Sequence, residues 1–319
     1  MANNFNGKKI VIFGGAGFIG KYLINRFSKY SCNIQIVTRD LKKKKNLKFL
    51  GGLGQVNVSQ ITNFSVENIK DLVSEADIVV NLIGILYENE KQTFERIHSE
   101  LPKIIAKASK IAGVKSLIHL SALGVEKNIH SKYAISKLHG ERNIRSEFPE
   151  AIILRPSVVF GKEDNFINLF SKLSSLAPFL PIIGDPKIQI SDNFFPRIIF
   201  SNGTLLQPIY VGDLADYILK ICFEKPKTIN LAGPNILSFK EIIKLILKFN
   251  KRSRICLPIP FFLANILAFF SEKLPNPLLT RDQVQLLKIN NTSKAGYENL
   301  LRHVPIPKTL AVILPTYIY

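Results

Sequence analysis

Lys8-Lys9-Ile10-Val11-Ile12-Phe13-Gly14-Gly15-Ala16-Gly17-Phe18-Ile19-Gly20 decides the fold of this chain. Ile10 to Phe13 is a short apolar run of the kind that forms a buried parallel strand. It ends in glycines at 14, 17 and 20, and a helical pattern follows over residues 18–28. Gly14 permits the tight bend, Gly17 lets the backbone approach a pyrophosphate, and Gly20 lets the new helix pack closely on the strand. The N–H groups around Gly15, Phe18 and Ile19 then face the phosphates. A glycine triplet alone is weak evidence. Here it follows a strand and opens a helix, which separates a dinucleotide cradle from a plain glycine-rich turn.

Working outward, strand and helix patterns alternate up to residue 155. Strands are expected at 34–37, 55–58, 76–82, 115–121 and 151–155, and helices from 65, over 92–112 and over 130–147, with Gly113 as a C-terminal stop. This order predicts an α/β fold, a Rossmann-type doubly wound parallel sheet covered on both faces. Beyond Arg155 the alternation breaks down and prolines accumulate, so residues 1–155 are assigned to a nucleotide-binding domain and 156–319 to a smaller, loop-rich C-terminal lobe. Segments at about 207–231 are expected to return to the first domain's core. Residues 166–176 and 211–222 read as helices, 185–203 as an extended excursion or hairpin, and Ser238 with Glu241 as a capping box.

Bulk composition narrows the function. With 319 residues, 46% hydrophobic and 21% charged, the chain is a folded globular protein. Its net charge of +19 favours acidic partners such as anionic lipid, phosphorylated ligands or nucleic acid, although a Lys-, Asn- and Ile-rich compositional bias would give the same balance. No interleaved basic and aromatic motif supports nucleic acid, so none is expected. Cys32, Cys222 and Cys256 are far apart, and the five histidines form no ligand pattern; neither a disulfide framework nor a metal is expected, and a reducing compartment is. The first strand starts by Lys8, leaving no room for a secretory apolar segment. The longest apolar run, Ile259 to Phe270, falls short of the roughly 20 residues that span a bilayer. A soluble or peripheral protein is expected.

Tyr133 and Lys137 stand four apart on one face of a helix. An ammonium there favours the phenolate and lowers the tyrosine pKa from about 10. The same lysine can hydrogen-bond a nicotinamide ribose, so one pair serves proton transfer and cofactor placement. A strand ending in Ser121 precedes them.

The chain resembles the extended or atypical short-chain dehydrogenases/reductases, which include nucleotide-sugar epimerases and dehydratases. The carrying motifs are residues 14–20, His119-Leu120-Ser121, Tyr133 with Lys137, Leu154-Arg155-Pro156-Ser157-Val158-Val159-Phe160-Gly161, Pro208-Ile209-Tyr210-Val211-Gly212-Asp213 and Asn230-Leu231-Ala232-Gly233-Pro234. A narrower similarity, to the subfamily of the nucleotide-binding alpha-9 accessory subunit of respiratory complex I (NADH:ubiquinone oxidoreductase), rests on Asn81-Leu82-Ile83-Gly84-Ile85-Leu86-Tyr87-Glu88, Leu279-Thr280-Arg281-Asp282-Gln283-Val284 and Ile313-Leu314-Pro315-Thr316-Tyr317.

These resemblances imply NADP(H) held as a structural cofactor, beside the quinone-reactive arm of complex I and a membrane surface. They also imply complex I subunits and anionic membrane as partners, and a cytoplasmic or matrix-side location, peripheral on the inner membrane. Carried over by residue, Gly14, Gly17 and Gly20 hold the pyrophosphate, Arg39 meets the adenosine 2′-phosphate, and Ile61, Leu82 and Gly84 line the cofactor. Tyr133 and Lys137 bracket the nicotinamide ribose, with Pro156, Ser157 and Val158 beside the nicotinamide. Tyr133, Lys137 and Ser121 are the catalytic candidates. Arg39 and the Lys42–Lys45 run favour NADP over NAD by charge, although Asp40 falls near the spacing of an NAD-type carboxylate. Ala122 follows Ser121 where relatives carry a second hydroxyl, which makes catalysis doubtful and leaves a free-standing reductase or epimerase as the alternative. Residues 257–270 read as a helix apolar around most of its circumference, expected to be a buried lid over the cleft, with an exposed docking patch as the sharper alternative.

Overall fold

The computed structural model describes residues 5–39, 47–184, 187–190, 196–199 and 202–318. The first half runs β1 (Lys9–Phe13), α1 (Phe18–Phe27), β2 (Asn33–Thr38), β3 (Val56–Gln60), α2 (Val66–Val73) and β4 (Ile78–Asn81). A π turn (Glu95–Glu100) then leads into α3 (Leu101–Ile111), followed by β5 (Ser116–Leu120), α4 (Lys132–Glu147) and β6 (Ile152–Pro156). The second half opens with short pieces: β7 (Val159–Phe160), α5 (Asn165–Leu176), β8 (Phe179–Ile183), β9 (Lys187–Ile190), β10 (Pro196–Ile199), β11 (Leu205–Leu206) and β12 (Ile209–Tyr210). It continues with α6 (Val211–Ile221), β13 (Thr228–Leu231), β14 (Leu237–Ser238), α7 (Phe239–Phe249) and β15 (Ile255–Ile259). Four helices close the chain: α8 (Phe261–Ser271), α9 (Arg281–Leu286), α10 (Lys294–Leu301) and α11 (Leu310–Ile313).

Seven parallel strands form the main sheet in the order β13-β6-β5-β4-β1-β2-β3. This is the Rossmann-type doubly wound sheet. The chain winds outward through β2 and β3, then crosses back to place β4 on the other side of β1. That reversal creates a crevice outside the C-terminal ends of β1 and β4, where open α/β sheets bind ligands. Alternate residues of β1 serve opposite faces: Ile10 and Ile12 pack toward Leu23, Phe27, Leu214 and Ile218 of α1 and α6, while Val11 and Phe13 pack toward Ile69, Ile105 and Ile144 of α2, α3 and α4. Both faces are covered, which is why the strands read as continuous apolar runs.

The second lobe has its own core of Phe160, Phe170, Phe239 and Ile246, with Leu310 and Leu314 closing it. The expected excursion at 185–203 contains an antiparallel pair, β9 with β10. More of the second half joins the first than 207–231: α10 lies against β13, and Leu300 and Val304 belong to the first core. Two expectations need correction. Residues 257–259 are strand, paired in parallel with β8, because Pro258 and Pro260 interrupt any helix there. The helix that follows is no buried lid: α8 fully buries only Ala264 and Ala268, half-buries Phe261, and leaves Phe262, Leu263, Ile266, Leu267, Phe269 and Phe270 exposed. Among the described residues no helix is long and apolar enough to cross a membrane.

Candidate dinucleotide site

The cradle follows from what its glycines lack. Gly14 has φ of +76°, and a Cβ there would stand 3.0 Å from the Leu82 carbonyl carbon. The Gly17 N–H donates to the Gly14 carbonyl at 3.0 Å, closing the turn. A Cβ on Gly20 would lie 2.4 Å from the Gly15 carbonyl oxygen, so only glycine lets α1 sit this close to the turn. α1 starts at Gly17 with no side-chain cap and no acidic residue in its first turn. Its leading N–H groups, which have no intrahelical acceptor, and the positive end of its dipole are left for an anion.

Arg39 follows β2 and is exposed; its Nη2 donates to Gln92 Oε1 at 3.3 Å. Its carbonyl accepts from Gln60 Nε2 at 2.9 Å, and the N–H of buried Ile61 donates to the Thr38 carbonyl at 2.9 Å, so the ends of β2 and β3 are tied side by side. Asp40 and Lys42–Lys45 lie outside the described residues.

Beyond β4, Gly84 lets the backbone pass close to Lys137: a Cβ would stand 3.3 Å from its Nζ. Lys137 is buried and donates from Nζ to the Leu120 carbonyl at 3.0 Å. Burial brings its ammonium down to about 8, against the opposing pull of Glu141. Two buried imidazoles share this space. His98, in the π turn, accepts on Nε2 from the Ile85 N–H at 3.0 Å, which leaves the proton on Nδ1 for Ser136 Oγ at 3.0 Å. The Ser136 hydroxyl in turn donates to the Tyr133 carbonyl at 2.8 Å. His98 therefore ties the Gly84–Ile85 turn to α4. α4 reaches the π turn because Gly140 has no side chain; a Cβ there would stand 1.8 Å from the His98 carbonyl oxygen. His119 Nδ1 faces Asn81 Nδ2 at 3.2 Å, and its buried Nε2 has no hydrogen-bond partner among the described residues. Both rings are neutral. Burial and then the Lys137 charge hold His98 down at about 2 and His119 well below its usual value.

Tyr133 is half-buried, its ring edge-on to His98 at 5.1 Å and to Phe94 at 5.8 Å. Its hydroxyl behaves opposite to the expectation from Lys137. Burial and then the charge of Asp282 push the phenol up to about 12, while the Lys137 ammonium is held on the Leu120 carbonyl. Asp282 is the site residue for which sequence reading assigned no role. From α9 it accepts from Ser131 Oγ at 2.8 Å and from the N–H groups of Lys132 at 2.6 Å and Tyr133 at 3.2 Å, capping α4. The available signal was an acid between Thr280 and Gln283 of the capping box.

Ser121 is also engaged differently from expectation. Its hydroxyl donates to Glu141 Oε1, and Glu141 takes two further bonds from Arg155, at 2.8 Å from Nε and 2.6 Å from Nη2. This buried network claims the hydroxyl proton that a substrate carbonyl would need. At the end of β6, the Pro156 carbonyl accepts from the Leu123 N–H at 2.8 Å, and just beyond it the Ser157 N–H donates to the Leu231 carbonyl at 2.8 Å. The Ser157 hydroxyl donates to the Gln207 carbonyl, and the Val158 N–H donates to Asn291 Oδ1 at 3.3 Å. Because the strands are parallel, all these positions fall at one edge of the sheet. Among the described residues no group of side chains could hold a metal ion.

Residues 10–232 match the NAD dependent epimerase/dehydratase family. This chain belongs to that family. Among curated relatives of this family member is the mouse (Mus musculus) protein "NADH dehydrogenase [ubiquinone] 1 alpha subcomplex subunit 9, mitochondrial", 31% identical over 93% of this chain and 77% of its own length. The Neurospora crassa "NADH-ubiquinone oxidoreductase 40 kDa subunit, mitochondrial" is 27% identical over 89% of this chain and 71% of its own. In fold, the epimerase-family chain is similar to triphenylmethane reductase from Citrobacter sp. complexed with NADP(H). The TM-score is 0.74, at 16% identity over 97% of this chain and 99% of that one. The open helix start and the glycine-lined turn fit the pyrophosphate of such a dinucleotide.

Proposed function

We propose that this protein is a dinucleotide-binding accessory subunit of respiratory complex I, in which NADP(H) serves mainly to hold the fold. The similarity that carries this reading spans 93% of the chain and reaches the mouse alpha-9 subunit. The site supports a resident ligand. Phosphates would rest on the uncapped start of α1, the Lys137 ammonium would hydrogen-bond a ribose hydroxyl, and the exposed Arg39 guanidinium would pair with a 2′-phosphate. A bound nicotinamide dinucleotide supplies hydride chemistry. The chain's own groups contribute little to it: Ser121 is held by Glu141, Ala122 has no hydroxyl, and Tyr133 keeps its proton. Affinity purification from native membranes tests the proposal. Complex I subunits should co-purify, and NADPH should be recovered from the denatured protein; absence of both ends the reading.

The intact Tyr133/Lys137 pair favours a second reading, a free-standing reductase or epimerase. There Tyr133 would donate its proton to a substrate oxygen, with the Lys137 charge stabilising the phenolate left behind. Carbonyl-dependent NADPH oxidation abolished by Tyr133→Phe would establish it, and its absence across carbonyl, sugar-nucleotide and quinone substrates would dismiss it.

A further inference from the structure

Of the two imidazoles buried beside Lys137, one carries an unmet donor. Asn81 Oδ1 accepts from the Ile83 N–H at 3.1 Å, so the Asn81 amide nitrogen, at 3.2 Å, donates to His119 Nδ1. The His119 proton is thereby fixed on Nε2, which is buried and meets no acceptor among the described residues. Such an orphan is destabilising, and an apolar side chain at this position would avoid it. His98 is the opposite tautomer, with its bare Nε2 on the Ile85 N–H at 3.0 Å and its proton directed to Ser136. Both rings thus serve one stretch of backbone. The Leu82 N–H is held by the Phe13 carbonyl at 2.9 Å, the Ile83 N–H by Asn81, and the Ile85 N–H by His98.

That stretch stands between the two halves of the crevice. On one side it touches the glycine turn: a Cβ on Gly14 would lie 3.0 Å from the Leu82 carbonyl carbon and 3.1 Å from the Ile83 nitrogen. On the other it touches α4: a Cβ on Gly84 would lie 3.3 Å from Lys137 Nζ and 3.6 Å from His98 Nε2. We infer that His98 and His119 are positioning residues for the dinucleotide, holding the 82–85 turn as the wall that sets the glycine turn and the Lys137 ammonium at a fixed separation. The inference rests on the dinucleotide reading above. Fixing both halves before the ligand arrives removes an ordering cost from binding. Neither ring is required to touch the ligand: His98 acts through the Ile85 N–H, and His119 through Asn81. Each must keep a bare nitrogen, and burial with the neighbouring Lys137 charge keeps both rings neutral. This need for an acceptor accounts for an imidazole at position 119 despite its unmet N–H.

Fluorescence titration of the full chain with NADPH tests it, alongside denaturant unfolding of the same samples. His98→Gln keeps an acceptor near the place of Nε2, within reach of the Ile85 N–H, whereas the shorter His98→Asn reaches only toward Ser136. Both lose the stacking of the ring on Phe94 at 5.4 Å, so a merely structural role predicts no order between them in affinity. His98→Asn should weaken NADPH binding by about tenfold and His98→Gln by less than about threefold. His119→Leu exchanges the unmet His119 donor for an unmet Asn81 donor. Its stability should therefore change little, while its affinity should fall by about threefold or more. If the His98 variants do not fold, His119→Leu decides. The inference is overturned if His98→Asn and His98→Gln bind NADPH equally, or if His119→Leu binds it as wild type does. If the wild type binds neither NADPH nor NADH, the dinucleotide reading itself falls and takes this inference with it.

Discussion

α1 and α4 both begin at the ligand-binding edge of the sheet, and they begin in opposite ways. α1 opens on bare Gly17 with no cap. α4 is capped by Ser131 and sealed again by the Asp282 carboxylate, contributed from a helix 150 positions further along the chain. Both N-termini carry the same partial positive charge and the same unpaired N–H groups. The protein neutralises one from within and leaves the other without a side-chain cap.

The contrast can be broken most severely at Gly20. A Gly20→Val side chain would meet the Gly15 carbonyl, forcing α1 off the turn; a loss of about 3 kcal/mol in folding stability is expected, together with loss of bound dinucleotide, read by denaturant unfolding and nucleotide recovery.

Of comparable size is the acid sensitivity behind α4. The pKa values of His98 and His119 lie far below that of an unfolded histidine, near 6.5. Above pH 6.5 neither state binds these protons. Below it the unfolded chain takes them up and the folded chain does not, so stability falls with pH by about 1.4 kcal/mol per pH unit for each ring. Urea unfolding at pH 7 and pH 5 checks this, and His119→Asn should remove about half of the slope.

Asp282→Ala sharpens the comparison by opening the second helix start. It should cost about 1–2 kcal/mol, the size of a lost cap with charge, measured as a lowered denaturation midpoint. The smallest effect expected is at the far end of the open cradle. Arg39→Ser should reduce the preference for NADPH over NADH by roughly tenfold in paired titrations, with little change in stability because the side chain is exposed.

Much of this was legible in the residues. The glycine spacing located the tight turn between β1 and α1, apolar runs located β1, β2, β4, β5 and β6, and Ser238 with Glu241 announced the start of α7, where both capping-box bonds are present. What escaped depends on distance along the chain or on context. Asp282 caps a helix that starts at Lys132, and no local pattern links them. Ser121 is a catalytic candidate by its motif, and no local pattern shows that Glu141, 20 positions later in α4, accepts from its hydroxyl. The π turn holding His98 shares the apolar spacing of the helix it leads into, so periodicity could not separate the two. Nor does an all-apolar helix say in its letters whether its cover is the same protein or something else; only the placement of Ala264 and Ala268 against Val284 shows how little of α8 the protein keeps for itself.

β13 pairs with β6 through Thr228↔Ile153 to Leu231↔Pro156, and α6 lays Leu214 and Ile218 on the face that α1 leaves open. During synthesis this gives the ribosome a scheduling problem. When Pro156 emerges, six strands are complete but the edge of β6 and the part of one apolar face beyond α1 are still bare. They stay bare until about 75 further residues have been made, several seconds at the pace of translation. A nascent chain halted between Pro156 and Leu231 should therefore be the species that chaperones hold and proteases find, and a fragment cut at Pro156 should lack the β13 and α6 cover that the whole chain supplies.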